Sequence, residues 1–211
     1  MQSITLAPAH VHSIASAAAA TSKDKMTPVL EHIEVSVAAG ILTATATDCR
    51  RVARIRFATG DEAAELEPTA ISAALLVAFS KALKAAKVVS IKDLSTLTVN
   101  DGRVALEHES GIRLGGDVST QNFPPVGRLI DGYVSSDPRD VYLTPLLIAD
   151  AAKLSLPADT RPNDAKEAVW FVQFSDSGSS KPGPVLMTRE DANPQNIDRI
   201  EYMVQPNLQP R

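Results

Sequence analysis

The chain has little of what several protein classes require. Its 211 residues include one cysteine and only 4% aromatic residues. The lone Cys49 excludes an intrachain disulfide and is typical of a reducing compartment. Basic residues do not outnumber acidic ones, since 21 lysines and arginines stand against 25 acids and leave a formal net charge of −4. The composition therefore lacks the overall basic character of a protein that grips nucleic acid through many phosphate contacts.

Long hydrophobic runs are also missing. No apolar stretch reaches the length needed to span a membrane. Residues 14–20 are alanine-rich but have no basic segment ahead of them and follow a strand-like segment at residues 4–6, so a helix is favoured over a signal peptide. We expect a soluble, cytoplasmic protein, long enough to bury a core in one or two domains.

Three consecutive strands are predicted near the start of the chain. Residues 27–35 (TPVLEHIEV) lead into alternating apolar and polar positions, residues 40–48 (GILTATATD) repeat the alternation, and residues 51–57 (RVARIRF) restart it. A turn is predicted at residues 39–40. Such a block predicts an antiparallel sheet.

One order of elements recurs three times along the chain. The segments at residues 3–8, 64–68 and 140–145 each read as a short strand meeting a proline at or near the first turn of a helix. The three predicted helices end near residue 21, span residues 69–86 and span residues 146–154. Strands are predicted at residues 88–92, 94–99, 103–107 and 111–114, with a hairpin turn at 100–102, and then at 168–174, 184–188 and 200–204. This β-α-β-β-β unit predicts an α+β fold with helices on one side of antiparallel sheets.

Two segments are predicted to lack regular structure. Residues 122–138 contain prolines and glycines that oppose helices and strands, so they are expected to form a linker. Residues 159–167 carry mixed charges and a proline, and are expected to form a mobile loop.

These segments resemble the bacterial DNA sliding clamp, the beta subunit of DNA polymerase III. Residues 40–53 are similar to its G-x-L-x-(apolar)-x-A-T-D-x-x-R-(apolar)-A signature, residues 123–130 to an F-P-x-(apolar) segment, and residues 181–208 to its closing strands. The resemblance implies the sliding-clamp fold, with residues 1–131 as a complete domain of two units and residues 137–211 as a partial domain of one. The chain is far shorter than a three-domain bacterial clamp, and such a length would be typical of a bacteriophage protein.

The resemblance implies that the helices face a central hole occupied by double-stranded DNA. Lys81, Lys84 and Lys87 recur at three-residue steps, and diffuse lysine contacts would hold the duplex without reading its sequence. Lysines late in a helix also complement its dipole, and this explanation stays open. Lys23 and Lys25 are expected to end the first helix, and Lys153 to lie late in the third. The candidate DNA-binding residues are Lys23, Lys25, Lys81, Lys84, Lys87 and Lys153.

The resemblance also implies an apolar groove in which replication proteins dock a short linear peptide. The sequence departs from the family at Gln205, where a methionine is usual, and at residues 207–208, which replace an apolar residue and an arginine. The alternative is that Met203 and Val204 are core residues of a terminal strand. Carried over by position, the groove residues are Thr47, Arg51, Val52, Leu129, Ile130, Met203, Val204 and Pro206.

Motifs of an enzyme or a metal site are not found. His10 and His12 are expected to be exposed at a helix start, and His32 has no second ligand at metal spacing. Asp48 is expected to cap a turn and Cys49 to be incidental, and a small enzyme using either is the least favoured alternative. We expect no catalytic residue, no cofactor and no metal.

The resemblance predicts a non-enzymatic, ring-forming processivity factor that tethers a replicative DNA polymerase to duplex DNA. Its partners would be DNA, the polymerase and a clamp loader, the proteins binding through short linear peptides. Known rings close with twelve units, so three units per chain imply a homotetramer, and a hidden fourth unit would imply a trimer. The alternative is a clamp-like interaction module that binds or regulates the host clamp, loader or polymerase without encircling DNA.

Overall fold

The computed structural model describes residues 1–90, 92–137, 143–159, 168–176, 182–191 and 197–206. The strands are β1 Gln2–Leu6, β2 His32–Ala38, β3 Ile41–Thr47, β4 Arg51–Ala58, β5 Leu66–Ser72, β6 Ser95–Asn100, β7 Arg103–His108, β8 Arg113–Asp117, β9 Phe171–Asp176, β10 Pro182–Glu190 and β11 Arg199–Val204. The helices are α1 Pro8–Ser16, α2 Ala73–Ala85, α3 Gly127–Asp131 and α4 Pro145–Ala151, with short 3-10 helices at Ala17–Ala20 and Pro28–Glu31.

The strands form two sheets. One has the order β1-β6-β7-β8, and the other has the order β5-β2-β3-β4-β11-β10-β9. Every pairing between neighbouring strands is antiparallel. The strands from the end of the chain thus continue the sheet begun near its start, because β11 pairs with β4. The α+β fold with antiparallel sheets, predicted from the order of elements, is confirmed.

Two tight turns define the hairpins. The β2–β3 hairpin turns at Ala39 and Gly40, with φ angles of +48° and +71°, and the β6–β7 hairpin turns at Asp101 and Gly102, with φ angles of +49° and +75°. Two consecutive positive φ angles match the right-handed twist of the flanking strands. Both turns predicted from the sequence are confirmed.

A single large core lies between the sheets and the helices. The alternating residues Ile33 and Val35 of β2 face it, as do Leu76, Phe79 and Leu83 of α2. Because these three residues of α2 recur at helical spacing, they form one apolar stripe, and the opposite side of the helix faces solvent. The helices α1 and α2 pack against each other on the same side of the sheets.

The second helix begins later than predicted. Residues 69–72 belong to β5, and Pro68 lies inside that strand rather than at the first helical turn. An end strand accommodates proline because one of its edges needs no ladder hydrogen bond, and the pairing with β2 also shifts register between Val35 and Val37. The start of the helix was therefore wrong by four residues.

The strand predicted at residues 88–92 is also wrong in the described part of the chain. Lys87 adopts a φ of +57°, and the N–H of Val88 bonds to the carbonyl of Leu83 at 3.0 Å. These are the features of a Schellman motif, which ends a helix by reversing the chain. Val88 then returns to the core with 7% exposure instead of continuing into a strand.

The linker predicted at residues 122–138 contains the short helix α3, so the expected absence of regular structure is wrong there. Pro124 and Pro125 precede α3, where they do not interrupt it. The first helix ends at Ser16 and continues only as a 3-10 helix, and α4 ends at Ala151 rather than at residue 154. Residues 140–142 of the third predicted unit and 160–167 of the predicted mobile loop lie outside the described residues. No described helix is long and apolar enough to cross a membrane.

Candidate functional site

The lysines predicted to contact DNA are all exposed, but they do not all lie on helices. Lys81 and Lys84 stand on α2 and point away from its apolar stripe, and Lys87 follows its end. Lys23 and Lys25 lie in the loop after the 3-10 helix Ala17–Ala20, so their predicted place at the end of the first helix is wrong. Lys153 lies just past α4 and bonds to Asp150.

His10 and His12 belong to the packing between elements and are not exposed. The His10 ring stacks on Phe57 with 4.9 Å between centroids, and burial lowers its pKa. The Nδ1 atom of His12 lies 2.7 Å from the Ser80 hydroxyl, and burial, with a smaller effect from the Lys84 charge, lowers the pKa of His12 to about 4. Both histidines are therefore neutral near pH 7. Among the described residues no group of His, Cys, Asp and Glu is arranged to hold a metal ion.

The turn between β3 and β4 is capped by Asp48. Its Oδ1 atom accepts hydrogen bonds from the backbone N–H groups of Arg50, at 3.0 Å, and Arg51, at 3.1 Å. The capping role predicted for Asp48 is confirmed. Cys49, between them, is exposed and adopts a φ of +70°, and its N–H bonds to the Thr47 hydroxyl.

Arg51 connects this turn to two distant elements. Its guanidinium pairs with Asp48 at 3.1 Å and with Asp150 of α4, and it lies 3.5 Å from the hydroxyl of Tyr202 in β11. Tyr202 in turn donates to the carbonyl of Leu147 at 2.7 Å. Burial alone would raise the pKa of Asp150, but hydrogen bonds from Lys153 and Arg51 hold it below its usual range. Burial raises the pKa of Tyr202 to about 12.

A cleft of about 690 Å³ opens beside this network, and we call it the Arg51 cleft. It lies between the 3-10 helix Ala17–Ala20, the β3–β4 turn and α4. Its walls include the basic residues Lys23, Arg50 and Lys153 and the apolar Leu146, whose side chain is 65% exposed. From the sequence, Arg51 was predicted to line a peptide groove and Lys23 and Lys153 to contact DNA, but the structure brings all three to one cleft. Leu146 and Arg50 were not predicted as site residues.

Three of the other predicted groove residues, Val52, Ile130 and Met203, lie on the far face of the seven-stranded sheet. Val52, Met203 and Leu186 are side by side on β4, β11 and β10, and Ile130 of α3 packs over them. All four side chains are 4–5% exposed. The hydroxyl of Tyr133, just after α3, donates to the carbonyl of Gln173 at 2.7 Å and anchors this cover. These four apolar side chains, called the Val52 cluster below, are thus buried under the chain's own short helix.

The remaining predicted groove residues are divided between the two faces. Thr47 lies beside Val52, and its hydroxyl donates to the carbonyl of Arg51 at 2.7 Å. Leu129 is 58% exposed, while Pro206 is buried. Val204 is fully buried in the main core, on the opposite face from Met203, because successive strand residues point to opposite faces. Val204 is therefore a core residue of the terminal strand, as the alternative interpretation of the sequence proposed.

A network of charged residues flanks the Val52 cluster. It was not predicted from the sequence. Glu201 is 3% exposed and pairs with Arg54 at 2.6 Å, Arg199 at 3.3 Å and Arg56 at 3.6 Å. Arg54 also pairs with Asp131 of α3 at 2.7 Å. The sequence did contain a feature that could have predicted this network. Arg54 and Arg56 alternate with apolar residues in residues 51–57, which places both arginines on one face of a strand.

No protein-family model and no curated protein matches this chain. Solved structures do match it. The DNA polymerase sliding clamp from Bacillus subtilis is 16% identical with a TM-score of 0.52, over 98% of this chain and 49% of that one. DNA polymerase III subunit beta from Borrelia burgdorferi, in complex with a natural product, is 12% identical with a TM-score of 0.65, over 100% of this chain and 65% of that one.

A chain from the structure of the C-terminal region of FEN-1 bound to A. fulgidus PCNA is 11% identical, with a TM-score of 0.56, and the match covers 100% of both chains. This chain therefore spans about half the length of the B. subtilis clamp but the whole length of the archaeal match. At these identities the likeness concerns the fold. The chain has the DNA clamp fold.

Proposed function

We propose that this chain is a DNA sliding clamp, a non-enzymatic processivity factor that tethers a replicative DNA polymerase to duplex DNA. The observation that carries this proposal is the structural match to sliding clamps, which spans 98–100% of this chain, 49–65% of the two bacterial clamps and 100% of the chain from the A. fulgidus PCNA structure. Tethering turns each rebinding of the polymerase into an intramolecular event at high effective concentration. Enclosure of the duplex gives long residence without tight contacts.

The proposed architecture is one complete clamp domain over residues 1–131 and one partial domain over residues 137–211. A closed ring then forms from four copies of the chain, or from three if a further unit is contributed. Lys81 and Lys84 lie on the solvent side of α2, where they are placed to contact phosphates if the helices face the duplex. Flexible lysines in water form weak contacts, which suits a protein that must slide.

The proposed partner site is the Arg51 cleft. The cleft has an apolar wall at Leu146, and four basic residues outnumber the three aspartates that also line it, so it suits a short peptide with an apolar anchor and an acidic residue. The basic residues are Lys23, Arg50, Arg51 and Lys153, and the aspartates are Asp24, Asp48 and Asp150. In the matched archaeal structure, PCNA binds the C-terminal region of FEN-1. By analogy, the polymerase and the clamp loader would dock here through short linear peptides.

The test is retention on DNA of different topology. We expect native light scattering to give a tetramer or trimer, and a clamp loader with ATP to place this assembly on nicked circular DNA, where it survives gel filtration at high salt. Linearising the circle should release it, because a ring slides off a free end. A monomer that remains equally bound to circular and linear DNA would contradict the proposal.

A second candidate is an interaction module that binds the host clamp, loader or polymerase without encircling DNA. It is favoured by β9, which ends the seven-stranded sheet and exposes Phe171 (66%) and Val172 (42%). Among the described residues only Ser136 pairs with the free edge of β9. Such an edge is available for another chain. Binding to a host clamp without any increase in polymerase run length on primed circular DNA would support this candidate over the ring.

A further inference from the structure

A second cavity, of about 420 Å³, lies where the two sheets meet, far along the chain from the Arg51 cleft. Its walls come from Glu34 of β2, from Thr69 and Ala70 of β5 and from the segment 118–123 that follows β8. The N–H of Ser119 bonds to the carbonyl of Ala70 at 3.1 Å and holds this segment against the end strand of the sheet. The cavity is thus built by elements that are fixed to one another.

Among the described residues that line this cavity, Glu34 is the only charged one. It lies between Thr45 of β3 and Ala70 of β5, on the face of the sheet opposite to the core residues Ile33 and Val35. The carboxylate is half-buried, and within the described chain it forms no hydrogen bond and no ion pair. Burial raises the pKa of Glu34, in keeping with a charge that has lost water and gained no partner.

The buried carboxylate on the same sheet face shows what is unusual about Glu34. Glu201, on the same face, is surrounded by Arg54, Arg56 and Arg199. Because a partly desolvated carboxylate without a partner is unfavourable, a cation that binds beside Glu34 would stabilise its charged form.

The remaining walls favour one kind of cation. Five residues supply hydroxyl or amide oxygen acceptors, and the apolar wall includes the aromatic ring of Phe123. A metal ion is a poor fit because only one carboxylate is present. An arginine side chain fits well, because its planar guanidinium carries five N–H donors, stacks on aromatic rings and is joined to an apolar stem. The five acceptor residues are Thr69, Ser119, Thr120, Gln121 and Asn122.

We propose that this cavity receives an arginine side chain from a partner polypeptide, with Glu34 as its counter-ion. The site is separate from the Arg51 cleft and does not depend on the proposed tethering of a polymerase. This site gives the protein a second point of attachment. A partner bound there remains attached while other proteins replace one another in the Arg51 cleft.

The test uses three tripeptides with blocked ends, acetyl-Gly-X-Gly-amide, in which X is arginine, lysine or the uncharged arginine isostere citrulline. Titration into the full chain, followed by amide NMR, should give saturable shifts at Ala70, Ser119 and Thr120 with the arginine peptide. The lysine peptide should bind more weakly, and the citrulline peptide at least tenfold more weakly. Glu34→Gln should weaken binding of the arginine peptide at least tenfold.

Glu67→Gln is the matched control, since Glu67 is exposed on the neighbouring strand and does not line the cavity. It should leave binding unchanged. An absence of saturable shifts in the unmodified chain, or equal binding by Glu34→Gln, would overturn the proposal. Tighter binding of spermidine at the same amides would also overturn it, by identifying a polyamine site. The Glu34→Gln variant should still be retained on circular DNA. Failure of the arginine-site proposal is therefore distinguishable from failure of the proposed clamp function.

Discussion

Arg54 donates from Nε to the Oε2 atom of Glu201 across 2.6 Å, although 147 positions separate the two residues in sequence. The bond joins β4 to β11 and lies beside the Val52 cluster. The same arginine reaches Asp131 of α3 at 2.7 Å. One guanidinium therefore holds together the start of the chain, the segment after the prolines and the C-terminal strand.

Removing the carboxylate of Glu201 should strongly destabilise the protein. We expect Glu201→Ala to lower the free energy of unfolding by about 3–5 kcal/mol, because it leaves the buried Arg54 without its main counter-ion. Urea denaturation at pH 7 measures the change. The matched control is Glu107→Ala, which removes an exposed pair with Arg113 at 3.9 Å and should cost about 1 kcal/mol or less. Equal losses in the two variants would show that the network does not hold the strands together.

The β2–β3 turn should tolerate no side chain at Gly40. A Cβ atom there would lie 2.6 Å from the carbonyl oxygen of Asp61, and φ is already +71°. We expect Gly40→Ala to cost more than the roughly 1–2 kcal/mol typical of a left-handed non-glycine residue. Gly60→Ala is the control, because its φ is +86° but no atom lies within 4 Å of the added Cβ. Thermal unfolding should separate the two variants, and similar melting temperatures would argue against the close contact with Asp61.

If α2 faces DNA, reversing charges on α2 should weaken DNA binding, whereas reversing charges on the sheet should not. Lys81→Glu/Lys84→Glu should weaken binding to duplex DNA and reduce its dependence on salt, since fewer counterions are released. The control is Arg103→Glu/Arg113→Glu, which reverses the same number of charges. Arg103 and Arg113 are exposed on β7 and β8, on the side of the sheet that faces away from the core. Fluorescence anisotropy at several salt concentrations should show a loss for the first variant only. Unchanged binding by the lysine variant would exclude α2 as a DNA contact.

His12 should make the folded state less stable in mild acid. Its folded pKa of about 4 lies below the ordinary value of 6.5, so the unfolded chain binds more protons between these values and stability falls as the pH drops through this window. NMR titration should place the His12 transition near pH 4. Lys84→Gln should raise that pKa by removing a nearby positive charge, whereas Lys81→Gln, the control, should leave it unchanged. A His12 transition near pH 6.5 in the unmodified chain would contradict the buried placement.

The candidate site was only partly predictable. The resemblance to the clamp family put Val52 and Met203 in one groove, and the pairing of β4 with β11 does set these two side by side. The same resemblance put Val204 in the groove, whereas strand alternation directs Val204 into the core. Leu146 of α4 could not be assigned to the Arg51 cleft from the sequence. Helical spacing predicts which residues share one face of a helix, but it does not predict which other element that face contacts.

The sequence by itself determined the features that depend on neighbouring residues. Alternation over β2, β3 and β4, the turns at Gly40 and Gly102 and the cap by Asp48 all follow from local sterics and hydrogen bonding. Tertiary structure decided the pairing of β11 with β4, the helix α3 after two prolines and the gathering of Lys23 and Lys153 around one cleft. These features depend on contacts between residues far apart in sequence, and periodicity records which side of an element is apolar but not which element will cover it.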